Sequence, residues 1–158
     1  AFDTEFAGTP DLLLGRPLRI VDLKWGGASF RRTSLARGTA LQLAAYSFLS
    51  QEDGAFPPVA YLIMSAQRLL TTTPEQFPGA ESANGPSPED TWRLLEQTHA
   101  THWTAVQAGS IEACGVSADD AEVPKESKVV NGQLVMEPPC RFCSFASLCG
   151  RSFVGGGE

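Results

Sequence analysis

The stretch "LRIVDLKW", residues 18–25, constrains this chain more than any other. Its apolar, β-branched run reads as a buried strand, yet Asp22 and Lys24 stand two residues apart in it, on one face of any strand. A carboxylate in such a setting is costly to bury unless something compensates. Either that face meets a cation, or the two residues form an ordinary surface ion pair at a strand edge. The preceding "EFAGTPDLLLG" alternates loosely up to Gly15, and "GRP" supplies a turn, so the two segments are expected to form an antiparallel hairpin. Asp11 lies in the first strand of that hairpin and can be brought beside Asp22 and Lys24.

Two aspartates and a backbone carbonyl suit a hard divalent cation, Mg²⁺ or Mn²⁺. Such an ion polarises a phosphoryl oxygen and acidifies a bound water, while a neighbouring lysine orients that water or stabilises the charge that develops on the phosphate.

The rest of the chain places this patch in an α/β frame. "GGASFRRTS" reads as a polar loop. "LARGTALQLAAYSFL" carries apolar residues at 41, 44, 45, 48 and 49, the period of a helix. "FPPVAYLIMSAQ" follows a diproline break and reads as a buried strand, and "TTTPEQFPGAESANGPSPED" reads as loop. Ser87 as N-cap, Pro88 at the first helical position and Glu89 and Asp90 in the first turn open a helix that runs to about Gly109. Beyond it the chain is mixed and acidic, with a hairpin signal at Asn131-Gly132. No run is apolar and long enough to span a membrane. The opening "AFDTEFAG" has neither the charged nor the apolar region of a signal peptide, so a chain starting at Ala1 reads as a fragment or a processed form.

The 158 residues carry a net charge of −6, which disfavours a protein that coats nucleic acid. The first 48 residues nevertheless hold six Lys and Arg against four acids, so a polyanion would meet that third of the chain. Arg31, Arg32 and Arg37 flank the patch and are candidate phosphate contacts, or else an exposed polar loop. On the predicted helix Gln42 and Tyr46 stand at i and i+4 and share a face.

Read together, "G-x-x-D" (Gly8 to Asp11), "IVDLK" and "QLAAY" resemble the PD-(D/E)XK nuclease superfamily, in particular its RecB/AddB-type exonuclease branch. The tail strengthens the match: "CRFCSFASLCG" looks like the C-x2-C-x5-C run that closes the iron–sulfur-containing members. The resemblance runs from Gly8 to Gly150, the middle matching by element order alone. It implies a restriction-endonuclease-like core, a central mixed sheet flanked by helices, with a cysteine-bearing C-terminal tail. It implies that Asp11 and Asp22 bind the catalytic metal with the backbone carbonyl of Leu23, that Lys24 stands next to the attacking water, and that Gln42 and Tyr46 position DNA and the active-site strand.

Trp25 departs from the family, which usually has a small polar residue there. These nucleases also usually begin with a helix that donates a further acid or His and the first cluster cysteine; a chain read from Ala1 is expected to lack that region, and Glu5 stands too close to be that acid. The expected organisation is a nuclease core over residues 1–110 and a cysteine-bearing extension over 111–158, with the N-terminal part of the domain missing. Cys140, Cys143 and Cys149 have the spacing of ligands rather than of disulfides, for a [4Fe–4S] cluster or zinc, and need a fourth partner. Cys114 is the remaining cysteine, and its context reads as a buried thiol. His99 and His102 lie three apart on the predicted helix with no acid or cysteine at matching spacing, and read as ordinary helix histidines.

The function expected is metal-dependent exonucleolytic hydrolysis of DNA by a cytoplasmic protein acting with a helicase subunit or domain in repair and recombination. Two other classes stay open: a catalytically silent module that binds DNA or a partner, which would be free to lose Asp11, Asp22, Lys24 and Gln42, and a zinc-binding scaffold, which would leave them without purpose.

Overall fold

The computed structural model describes residues 5–110 and 126–137. Its elements in chain order are β1 (Leu12–Leu14), β2 (Arg19–Lys24), α1 (Ala28–Ala36), α2 (Leu41–Leu49), β3 (Val59–Ile63), β4 (Arg68–Thr71), β5 (Glu81–Ser82), α3 (Pro88–Gln107), β6 (Lys128–Val130) and β7 (Gln133–Val135). The first five strands form one mixed sheet in sequential order. β1 pairs antiparallel with β2 as the expected hairpin, β2 parallel with β3, β3 antiparallel with β4, and β4 parallel with β5. This is the α/β, restriction-endonuclease-like architecture.

The parallel β2–β3 pair organises the rest. Parallel neighbours cannot be joined by a tight turn, so the chain must cross over between them, and α1 and α2 make up that crossover. Alternation along β2 and β3 then divides their side chains. Ile20, Val59, Tyr61 and Ile63 join Leu35, Ala40 and Leu43 of the helical layer in the main core. Val21 and Ala60 turn to the other face, against Phe77, with Leu23, Leu62 and Leu69 around them. Asp22 and Lys24 share the parity of Ile20 and therefore lie on the helix-covered side.

The long helix α3 starts where expected. Ser87 Oγ accepts from the Asp90 amide at 3.0 Å while the Asp90 carboxylate accepts from the Ser87 amide, a reciprocal capping box. It docks on α2 through Trp92, which stacks on Phe48 with ring centroids 4.2 Å apart. Farther along, Thr98 Oγ1 accepts from the Leu134 amide at 2.9 Å, which ties the β6–β7 hairpin onto α3. That hairpin turns at Asn131 and Gly132, both with positive φ, as an Asn-Gly turn requires.

Three expectations about the elements need correction. Residues 28–36 are not a loop but α1, opened by Gly27 in the left-handed region at φ 81°. Its inward face is carried by Ala28, Ser34 and Leu35 rather than by an apolar stripe, and Ser34 satisfies its hydroxyl on the Phe30 carbonyl at 3.0 Å, so hydrophobic periodicity does not announce it. The helix expected from Leu35 begins only at Leu41. The stretch read as loop from residue 71 on holds all of β5 (Glu81–Ser82) and the last residue of β4, and the four residues of β4 are too short to show a period. Its outer end is clamped by Glu81, which accepts from Arg68 Nε at 2.7 Å and Nη2 at 2.6 Å and also meets Arg32; Arg68 chiefly holds that carboxyl below its ordinary range.

Of the described glycines, Gly85 has the tightest surroundings, where the segment leading into α3 passes α1. A Cβ on Gly85 would stand 2.1 Å from the Leu35 carbonyl oxygen, whereas one on Gly26 would meet nothing nearer than Ser65 Oγ at 3.6 Å. Gly85→Ala should therefore cost about 1–3 kcal/mol in a urea melt, the usual scale for forcing atoms into packed space, and Gly26→Ala well under 1 kcal/mol. Equal costs would mean that the contact at Gly85 is soft.

Candidate active site

Among the described residues, the one charged side chain that is buried is Asp22, in the middle of β2. Asp22 is 1% exposed, with a carboxylate set among the side chains that pack beneath α1 and α2. Lys24 Nζ lies 2.7 Å from its Oδ2 as an ion pair, but not along a hydrogen-bond direction, so Oδ2 has no aligned donor among the described residues. The lysine is only partly covered and reaches the exposed side chain of Gln42 on α2, donating to Oε1 at 3.1 Å.

An ammonium only donates, so Gln42 must turn its oxygen to Lys24 and its amide nitrogen outward. Gln42 Nε2 then donates to the Tyr46 hydroxyl at 3.1 Å, one helical turn on. The i, i+4 pair read from the sequence is thus a relay that fixes one lysine donor. Among the described residues at most two of the three donors on Lys24 are engaged, which leaves one for a water or a phosphate oxygen.

Asp11 reaches the same place from the other side. It is exposed and lies immediately before β1 rather than within it, a correction to its expected place. Its Oδ2 accepts from the Leu23 amide at 2.8 Å. That bond uses the backbone between Asp22 and Lys24 and brings a second carboxylate to the edge of the buried one. Gly8, the other half of G-x-x-D, lies over Tyr46: a Cβ there would stand 2.9 Å from the ring's Cε1. The two motifs therefore touch, which their spacing in sequence cannot show.

Tyr61 joins this site without a signal in the linear sequence. The parallel register sets Tyr61 beside Asp22. Burial pushes its phenol up to about 12, with Arg31 opposing and the Asp22 charge adding, so Tyr61 is neutral at ordinary pH. Arg31 from α1 lies over it, 5.3 Å from the ring centroid, and over Phe30 at 5.0 Å. A buried tyrosine in an apolar strand reads as core until its pairing with Asp22 is known.

The other candidates are dispersed. Arg32 donates to the Ser82 carbonyl at 2.8 Å and pairs with Glu81, and Arg37 pairs with Glu126 at 2.6 Å. Glu5 is exposed. His99 lies on α3, stacked on Trp103 at 6.3 Å. No group of three or more His, Cys, Asp or Glu with metal-binding geometry occurs among the described residues. Cys114, Cys140, Cys143 and Cys149 lie outside them.

The donor set nevertheless fits a hard divalent cation. Asp22 Oδ2 is buried without an aligned donor, a second carboxylate is fixed beside it, and both offer the oxygen ligands such ions take. Asp11, Asp22 and the Leu23 carbonyl are the groups that would hold it.

The coupling inside the site is measurable without any substrate. Lys24→Met leaves Asp22 buried and unpaired and should cost about 2–4 kcal/mol in a chelator-treated protein. The double variant Asp22→Asn with Lys24→Met should cost clearly less than the two single losses added together. Simple additivity in denaturant melts would mean that the two side chains do not depend on each other.

Searches of curated proteins and of solved structures give no match. A family model, however, matches residues 1–150, nearly the whole chain, and spans both the hairpin that carries Asp11 and Asp22 and the helix that carries Gln42 and Tyr46. The chain belongs to the PD-(D/E)XK nuclease superfamily.

Proposed function

We propose that this protein is a metal-dependent DNA exonuclease that hydrolyses phosphodiester bonds at the β2 site. The observation that carries the reading is the buried Asp22 carboxylate, held against Lys24 and bordered by Asp11. A divalent ion held there would supply Lewis-acid polarisation of the phosphate and a water that deprotonates near neutral pH.

The chain's own groups do the positioning. Gln42 holds the lysine ammonium toward Asp22, so its remaining donor is available to the water or to the non-bridging oxygens as charge grows on them. Tyr46 and Gly8 fix Gln42 and the approach of the Asp11 segment. Arg31 is the arginine nearest this face that forms no ion pair among the described residues, and it would take a phosphate. Arg32 and Arg37 would have to exchange Glu81 and Glu126 to do the same.

The wider assignment, to a helicase–nuclease system of DNA repair and recombination, rests on the resemblance of the motifs to the RecB/AddB-type branch. The C-x2-C-x5-C spacing of Cys140, Cys143 and Cys149 supports an iron–sulfur cluster in the same reading. No helix among the described residues is long and apolar enough to cross a membrane.

In the full protein with Mn²⁺ or Mg²⁺, end-labelled linear DNA should be degraded, and Asp22→Asn should abolish degradation while circular dichroism stays native. Lys24→Ala should lower the single-turnover rate about a hundredfold or more, the scale for losing a positioned electrostatic group. Unchanged turnover would remove Lys24 from the chemistry, and wild-type protein inert on DNA with either ion would overturn the assignment.

A further inference from the structure

The Arg31 guanidinium is held differently from those of its neighbours. Arg32, Arg37, Arg68 and Arg93 each meet a carboxylate. Arg31 forms no ion pair among the described residues, and its Nε is buried with no hydrogen-bond partner there, which is uncommon for a donor in a folded chain. Two aromatic faces hold it instead. Its Cζ lies 5.0 Å from the centroid of the Phe30 ring and 5.3 Å from that of Tyr61. A ring face attracts a guanidinium through its quadrupole and occupies none of its five N–H donors. The group is therefore fixed in place with most of its hydrogen-bonding capacity unengaged among the described residues.

The Tyr61 ring ties this guanidinium to Asp22. Tyr61 is 2% exposed and is the register partner of Asp22 in the parallel β2–β3 pair, so the two side chains leave the sheet on one face from backbones about 4.8 Å apart. The phenol senses both charges, Arg31 lowering it and Asp22 raising it. Arg32, one residue on, reaches instead to the Ser82 carbonyl and Glu81 of β5, at the opposite edge of the sheet from β1. An arginine that only anchored the DNA backbone could stand anywhere on the surface. One stacked on the tyrosine that pairs with Asp22 stands where, on the nuclease reading, the cleaved phosphate lies. In that hydrolysis the water oxygen bonds to phosphorus and the ester P–O bond breaks with its electron pair on the departing oxygen. The water gives up a proton, the departing oxygen takes one, and charge gathers in between on the non-bridging oxygens. A planar fork of N–H donors matches two of those oxygens.

We propose that Arg31 is a catalytic residue that contacts the phosphate being cleaved, and that Tyr61 is the positioning residue that aims it. The proposal rests on the nuclease reading above and adds to it which phosphate this arginine takes.

The test is single-turnover cleavage of end-labelled linear DNA by the full protein with Mn²⁺, the protein concentration being varied so that maximal rate and half-saturation separate. Arg31→Ala should lower the maximal rate about a hundredfold and move half-saturation less than about threefold, the pattern of a contact made in the transition state. Arg31→Lys should regain only part of the rate, because lysine keeps the charge and loses the fork. Tyr61→Met, which fills the space without a ring, should lose most of what Arg31→Ala loses, and Tyr61→Phe should recover most of it. The Arg31→Ala, Tyr61→Met double variant should be little slower than Arg31→Ala alone, since the two act as one unit. Weakened half-saturation at an unchanged maximal rate would make Arg31 a general backbone contact. A lowered melting temperature with unchanged cleavage would make it a clamp of α1 on the sheet. Either result overturns the proposal and leaves the nuclease assignment standing, and additive losses in the double variant overturn the part given to Tyr61. Arg31→Ala alone decides the catalytic role should Tyr61→Met not fold, and wild-type protein inert on DNA ends both readings.

Discussion

A carboxylate held inside a sheet against a lysine two residues away is the interaction on which the rest of this structure depends. Taking Asp22 from water is expensive, and a single ammonium at its edge recovers only part of that cost. The residual cost is accepted only because the surrounding fold leaves Asp22 nowhere else to go. Its parity along β2 is that of Ile20, a core residue, and the opposite face is packed against Phe77, so a one-residue register shift would carry Asp22 and Ile20 together onto another packed face. The parallel pairing with β3 then demands a crossover, and the crossover helices cover that same face. Site and core are consequently one object.

The geometry around the pair explains why scattered short motifs act together. Asp11 borrows the Leu23 amide, Gln42 borrows a lysine donor, and Tyr46 completes the relay beside a glycine that leaves room for its ring. Each contact is modest, about 1 kcal/mol when polar groups exchange water for protein. Their value lies in orientation: among the described residues they leave a lysine with one donor over and a carboxylate with an unaligned oxygen.

How much of this the sequence discloses follows from which signals are local. β2, β3 and the capping box of α3 are written in short windows of residue type, and so are Asp11, Asp22, Lys24, Gln42 and Tyr46 at motif spacing. α1 escapes because its buried side is Ala28, Ser34 and Leu35, and Ser34 is made compatible with burial only by a hydrogen bond that composition does not reveal. β4 is four residues long and is defined by its neighbours rather than by its own pattern. Tyr61 and Arg31 join the site through a parallel register and a helix docking, both non-local. Arg32 and Arg37 look alike in sequence to Arg31, and only tertiary partners distinguish them.

If the buried pair exists to receive a cation, the most direct measurement is calorimetric titration of Mn²⁺ into the protein and into its Asp22→Asn variant, both verified as folded. The wild-type protein should give a saturable single-site isotherm and the variant no measurable heat beyond dilution, with Asp11→Asn weakened in between. Equal affinity in wild type and Asp22→Asn would contradict a metal held by Asp22 and leave the ion pair a purely structural feature of the strand.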